Sequence, residues 1–136
     1  MNYEELEIMI NYATKGVRYN TSSVPDTHLS KQSFCEQYKT VRLSLHRMIG
    51  HTTYIMKQSK NVDFIYTTHP KHYKGFSNVR RSCKIKDSLQ AHNIQPETIW
   101  IDNASFFTKS DLRKIYKQHT ADCIKRESLP LFVLLG

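Results

Sequence analysis

A length of 136 residues suits one domain with a buried core, and 39% hydrophobic with 11% aromatic residues lies above the composition of disordered chains. Twenty Lys and Arg against twelve Asp and Glu give a formal charge of +8, and no run approaches the roughly 18 consecutive apolar residues that cross a bilayer. Cys35, Cys83 and Cys123 are odd in number and widely spaced, which argues against a disulfide framework or zinc knuckle and fits a reducing cytosol.

In chain order, Asn2 and Glu5 make a capping pair for a first helix with Leu6, Met9, Ile10 and Ala13 on one face and Gly16 as its stop. The charges from Met1 to Thr14 are Glu4, Glu5 and Glu7, unlike the basic start of a signal peptide. Residues 20–30 read as a surface loop. Ser30 opens a second helix in which Phe34, Tyr38, Val41, Leu45 and Met48 repeat at spacings of four and three up to Gly50, with Lys39, Arg42 and His46 on another face. Thr52–Lys57 and Val62–Thr68 are rich in β-branched and aromatic residues around Gln58–Asn61, the pattern of a hairpin.

A basic loop follows from Thr68 to Gly75, and then a helix from Ser77 to about His92 with Arg80, Arg81 and Lys84 on one face. Thr98–Asp102 reads as a buried strand that takes Trp100 into the core. Thr108 and Asp111 cap a helix with Leu112, Ile115, Tyr116 and His119 on one face and Arg113, Lys114 and Lys117 on another. A short helix is expected at Ala121–Glu127 and a last strand at Leu131–Leu135. The predicted fold is therefore α+β, a single basic domain over residues 1–136, with four or five helices and a small, mostly antiparallel sheet.

The charge is uneven. From Lys39 to Lys86 eleven basic residues stand with Asp63 as the sole acid, and a block of one sign raises its own free energy unless an anionic partner neutralises it. The segment Gly75–Lys86 is the prime candidate contact: a glycine and Ser77 at a helix start offer backbone N–H groups, and Arg80 and Arg81 offer forked donors to phosphate. Tyr66, Tyr73 and Phe76 lie close enough in sequence to stack on bases. The alternative is a solvated helix face. The candidate nucleic-acid contacts are Arg42, Lys71, Lys74, Arg80, Arg81, Lys84, Lys125 and Arg126.

His69 and His72 lack further ligands in any metal-binding spacing, so no metal or other cofactor is expected. Asp63, Asp87, Glu97 and Asp102 are the acids from which a nuclease metal site would have to be built, and Glu97 and Asp102 fall on opposite faces of a regular strand. A metal-free ribonuclease would draw on His46, His51, His69, His72 and Lys71.

The segment Phe107–Arg126, with Leu129-Pro130 and the β-prone tail after it, resembles the MerR-like helix-turn-helix of excisionase and AlpA-type regulators. In that resemblance Thr108, Leu112 and Tyr116 match the first helix, Ile124 and Arg126 the recognition helix, and Leu129-Pro130 the entry to the wing. It implies that Lys125 and Arg126 sit near the major groove. An ordinary capped helix followed by a strand is the other interpretation.

The leading expectation is a non-enzymatic binder of DNA or RNA that contacts backbone phosphates, such as a phage or mobile-element regulator, with no membrane partner. The alternatives are an inhibitor docking its basic surface on an acidic host protein, and a small nuclease.

Overall fold

Phe64–Thr67, Thr98–Asp102 and Leu131–Leu135 are apolar at nearly every position, not at alternate ones, and strands of that kind must be covered on both faces. The computed structural model describes residues 3–23, 29–43, 50–76, 78–81, 96–121 and 129–136, and it has that arrangement. Strands β1 (Thr40–Leu43), β2 (Phe64–Thr67), β3 (Val79–Arg81), β4 (Thr98–Asp102) and β5 (Leu131–Leu135) form one sheet in the order β1-β5-β4-β2-β3. Every pairing is parallel, with Trp100 level with Ile65 on one side and Val133 on the other. Each residue of β2, β4 and β5 is buried.

The covering helices are α1 (Tyr3–Ser23), α2 (Lys31–Tyr38), α3 (His51–Gln58) and α4 (Lys109–Ala121), with 3-10 turns at Pro70–Tyr73 and Ala104–Phe106. Alternate strand residues sort into two cores. Ile65, Trp100, Val133 and Leu135 pack with Leu6 and Ile10 of α1, Tyr54 and Ile55 of α3 and Tyr73. Phe64, Tyr66, Ile99, Ile101, Phe132 and Leu134 pack with Phe34 of α2 and Ile115 and Tyr116 of α4. Burying a side chain of this size contributes roughly 1.5–3 kcal/mol, so the two cores supply most of the driving force.

The expected mostly antiparallel sheet is overturned, and its hairpin with it. Residues 51–58 form α3 although Thr52 and Thr53 favour strands, because His51, Tyr54 and Ile55 fall on one helical face that the sheet buries. Gly50, at φ 122, turns the chain into it. The helix expected from Ser30 to Gly50 stops at Tyr38, since Val41 pairs with Val133 in the sheet. Its run of apolar residues joined a helix to a strand. The helix expected from Ser77 is strand over Val79–Arg81, and residues 82–95 lie outside the described residues. α1 passes through Gly16 to Ser23, into the expected loop, and Gly16 meets no neighbour.

Other readings hold. Ser30 Oγ accepts from Ser33 N at 3.1 Å, and Thr108 and Asp111 cap α4 reciprocally at 3.0 and 3.3 Å. β4 and β5 have the expected spans, and Trp100 is buried. Among the described residues, no helix is long and apolar enough to cross a membrane.

Candidate ligand site at the carboxyl edge of the sheet

The strand order sets where a ligand fits. From β2 the chain proceeds to β3 at one edge, whereas from β4 it proceeds to β5 on the other side, so adjacent β2 and β4 send their following segments apart. In open parallel sheets the crevice beyond such a pair of carboxyl ends is the usual binding position. The residues here are Thr67 at the end of β2 with Thr68 and His69 after it, and Asp102 at the end of β4 with Asn103 after it.

Asp102 is the centre of this edge. It is 1% exposed, and its Oδ2 accepts from Thr52 Oγ1 and from Tyr73 OH, each at 2.7 Å. Burial, followed by the Asp102 charge and hydrogen bond, raises the Tyr73 pKa, so this hydroxyl stays protonated and donates. The carboxylate thus ties the first turn of α3 and the turn Pro70–Tyr73 to the end of β4. It also lies at the positive end of α3, which has no side-chain cap. Its Oδ1 is buried without a hydrogen-bond partner among the described residues.

His51, the first residue of α3, is 5% exposed and has a buried, unpartnered Nε2. Burial lowers its pKa while Asp102 acts in the opposite sense, which keeps the ring neutral near pH 7. Gly136 fits beside it at φ 96: a Cβ there would stand 3.5 Å from His51 Nδ1 and 3.3 Å from Asn103 Cα. Asn103 turns the chain out of β4 in the left-handed region, φ 58 and ψ 46, and its Nδ2 donates to Thr68 Oγ1 at 3.3 Å.

Three cations stand at this edge on the β2–β3 side. Lys71 and Lys74 are exposed on and after the turn Pro70–Tyr73, which packs against β3, and Arg81 is exposed at the end of β3. Among the described residues none forms an ion pair with Lys71, Lys74 or Arg81. The rings of His69 and His72 lie 5.5 Å apart in the same loop. Across the sheet α1, with Glu4 and Glu5 in its first turn and Lys15 further along, packs against β1.

The other expected contacts separate. Arg80 does not share a face with Arg81, because neighbouring strand residues point to opposite sides. It lies over the Phe64 ring at 5.7 Å and donates to Val79 O at 3.0 Å. Arg42 is exposed on β1, at the far edge of the sheet and about 19 Å from β3 at the usual strand spacing. Lys84, Lys125 and Arg126 lie outside the described residues, as do Ser77 and the segment matched to a recognition helix. Tyr66 and Tyr73 are buried and unable to stack on bases, whereas Phe76 is half-buried.

Among the described residues the candidate carboxylates do not converge, and Asp87 lies outside them. Asp63 and Glu97 precede β2 and β4, while Asp102 ends β4 at the opposite edge, about 16 Å along the strand from Glu97. Asp63 is committed to structure: it accepts from Lys60 N, Thr98 N and Trp100 Nε1 at 2.9, 3.1 and 3.3 Å. Among the described residues no group of three or more His, Cys, Asp or Glu is arranged to hold a metal ion. A polar cavity of about 330 Å³ opens at this amino edge, between Asn11, Lys15, Gln58 and Glu97.

Sequence reasoning had named Asp102 and His51 only as members of wider sets, and had missed Thr52, Asn103 and the Tyr73 contact. No protein-family model, curated protein or solved structure gives a significant match to the chain.

Proposed function

We propose that the protein binds nucleic acid through backbone phosphates, at the corner of the sheet where Lys71, Lys74 and Arg81 surround the ends of β2 and β3. The observation that carries this reading is the set of exposed cations, without an ion-pair partner among the described residues, next to a topological switch point and beside an edge whose central acid is buried and already holds two hydroxyls. Phosphate oxygens would take the place of the missing acidic partners and release counterions, which makes affinity fall with salt. His69 and His72, whose rings are tilted to each other 5.5 Å apart, add donors at the rim. The regulator reading suggested by the helix-turn-helix resemblance would place the contact at 122–128 instead.

The test is equilibrium binding to labelled single-stranded and double-stranded DNA and to structured RNA at two salt concentrations. Micromolar or tighter binding is expected at low salt. Lys71→Glu with Lys74→Glu and Arg81→Glu should flatten the dependence of log affinity on log salt by about three contacts' worth, a slope change of roughly 2–3. Absence of binding at low salt overturns the proposal, and a slope unchanged by the three reversals moves the interface elsewhere.

A further inference from the structure

We propose that the buried pair His51 and Asp102 forms a subsite for a ribose hydroxyl, so that the carboxyl edge selects ribonucleotides over deoxyribonucleotides. This rests on the phosphate-binding reading of the same edge and adds the identity of the sugar.

Hydrogen-bond capacity is the first ground. A buried carboxylate oxygen and a buried imidazole nitrogen are costly to leave unpaired, and native interiors rarely do so without a bound group that completes them. Asp102 Oδ2 is saturated by Thr52 and Tyr73, so the carboxylate is fixed in place while Oδ1 remains a free acceptor. His51 Nε2, adjacent through Thr52, is the second open position. Oδ1 requires a donor. A phosphate oxygen has none when ionised, and it would meet the Asp102 charge directly, so the phosphate belongs on the Lys71, Lys74 and Arg81 rim and not here.

A hydroxyl matches the chemistry of both atoms, because it can donate to Oδ1 while its oxygen accepts from a protonated Nε2 of the neutral ring. Burial keeps His51 neutral and leaves one ring nitrogen with a proton. In an RNA strand the carbon bearing the 2′-hydroxyl is bonded to the carbon bearing the 3′-phosphate, and a free nucleotide carries its phosphates on C5′ of the same sugar, so a ribose at Asp102 and a phosphate on the neighbouring rim can belong to one ligand. The 2′-hydroxyl is also the group by which proteins tell RNA from DNA. Gly136 and Asn103 confine the space beside His51, and a Cβ at Gly136 would already be in tight contact there.

The hydroxyl can come from a strand of RNA or from a free nucleotide, and the experiment separates them. Affinities of the full chain are measured for an oligoadenylate and its deoxy counterpart, and for adenosine triphosphate and its 2′-deoxy counterpart. The wild-type protein should favour the ribo form by about tenfold, the effect of one hydrogen bond to a buried charged acceptor. Asp102→Asn, which presents an amide donor where the hydroxyl needs an acceptor, should bring the ribo-to-deoxy ratio close to one. His51→Gln should lower the same ratio, and thermal unfolding of both variants shows whether the fold is kept. A ribo preference confined to the triphosphates supports the subsite with a free nucleotide as its source, and overturns the polymer reading. Equal, salt-sensitive binding of ribo and deoxy ligands overturns the subsite and leaves the phosphate surface standing. No binding of any of the four at low salt overturns both.

Discussion

Asp63 and His119 show how single buried polar side chains constrain this molecule. Asp63 closes the entry to β2 and holds Thr98 N and the Trp100 indole across the strand. Asp63→Ala would leave two buried donors unpaired, at about 1–3 kcal/mol each, so a loss of roughly 3 kcal/mol is expected in denaturant unfolding; a loss under about 1 kcal/mol would contradict its structural role. His119, on α4, shares a 2.7 Å hydrogen bond between its Nε2 and Tyr66 OH, and burial, with Arg80 adding to it, lowers its pKa to about 3. The unfolded chain takes up this proton as pH falls through about 6.5, whereas the folded chain does not until near 3. Stability is therefore complete above 6.5 and declines as pH drops, by about 2–3 kcal/mol at pH 4.5. His119→Gln keeps a hydrogen-bonding partner for Tyr66, since an amide both donates and accepts, and should flatten that decline between pH 7 and 4.5. An unchanged pH slope would place the proton uptake on another group.

At the scale of elements, α3 is where local preference and the fold disagree. Thr53 is exposed in it, so Thr53→Ala removes a β-branched side chain from a helix surface and should stabilise the protein by about 0.5 kcal/mol. Destabilisation by a similar amount would mean that the segment is a strand after all. Gly50 enters the helix at φ 122, and a Cβ there would come within 3.2 Å of Tyr3, so Gly50→Ala should cost about 1–2 kcal/mol. The elements legible in the sequence are those with local signals: α4 with its reciprocal cap, α2 with Ser30, and the continuous apolar strands β4 and β5. Those same continuous runs implied a sheet covered on both faces, but the polar stretch Gln58–Asn61 looked like a hairpin turn and favoured the antiparallel reading. It is instead the end of α3 and the approach to β2. The site was less legible, because Asp102 is completed by Thr52 and Tyr73, 50 and 29 residues away, and no spacing rule connects residues brought together only by the order of the strands.

Across the whole molecule, the +8 charge resolves into separate surfaces. One is the β2–β3 corner with Lys71, Lys74 and Arg81; another is the exposed face of α4 with Lys109, Arg113, Lys114 and Lys117, where Asp111 is the only acid of that helix. α1, which packs against β1, carries Glu4 and Glu5 in its first turn and the exposed Lys15 further along, so acids and bases are mixed there. The buried carboxylate of Asp102 and the neutral ring of His51 lie at the carboxyl edge, beside the switch point that the strand order creates. Hydrogen exchange of the protein with and without a saturating RNA strand at low salt tests the location of the interface most directly. Binding at the corner predicts slowed exchange at residues 68–76 and 79–81 and no change along 109–121, whereas protection confined to 109–121 would contradict it and assign the contact to α4.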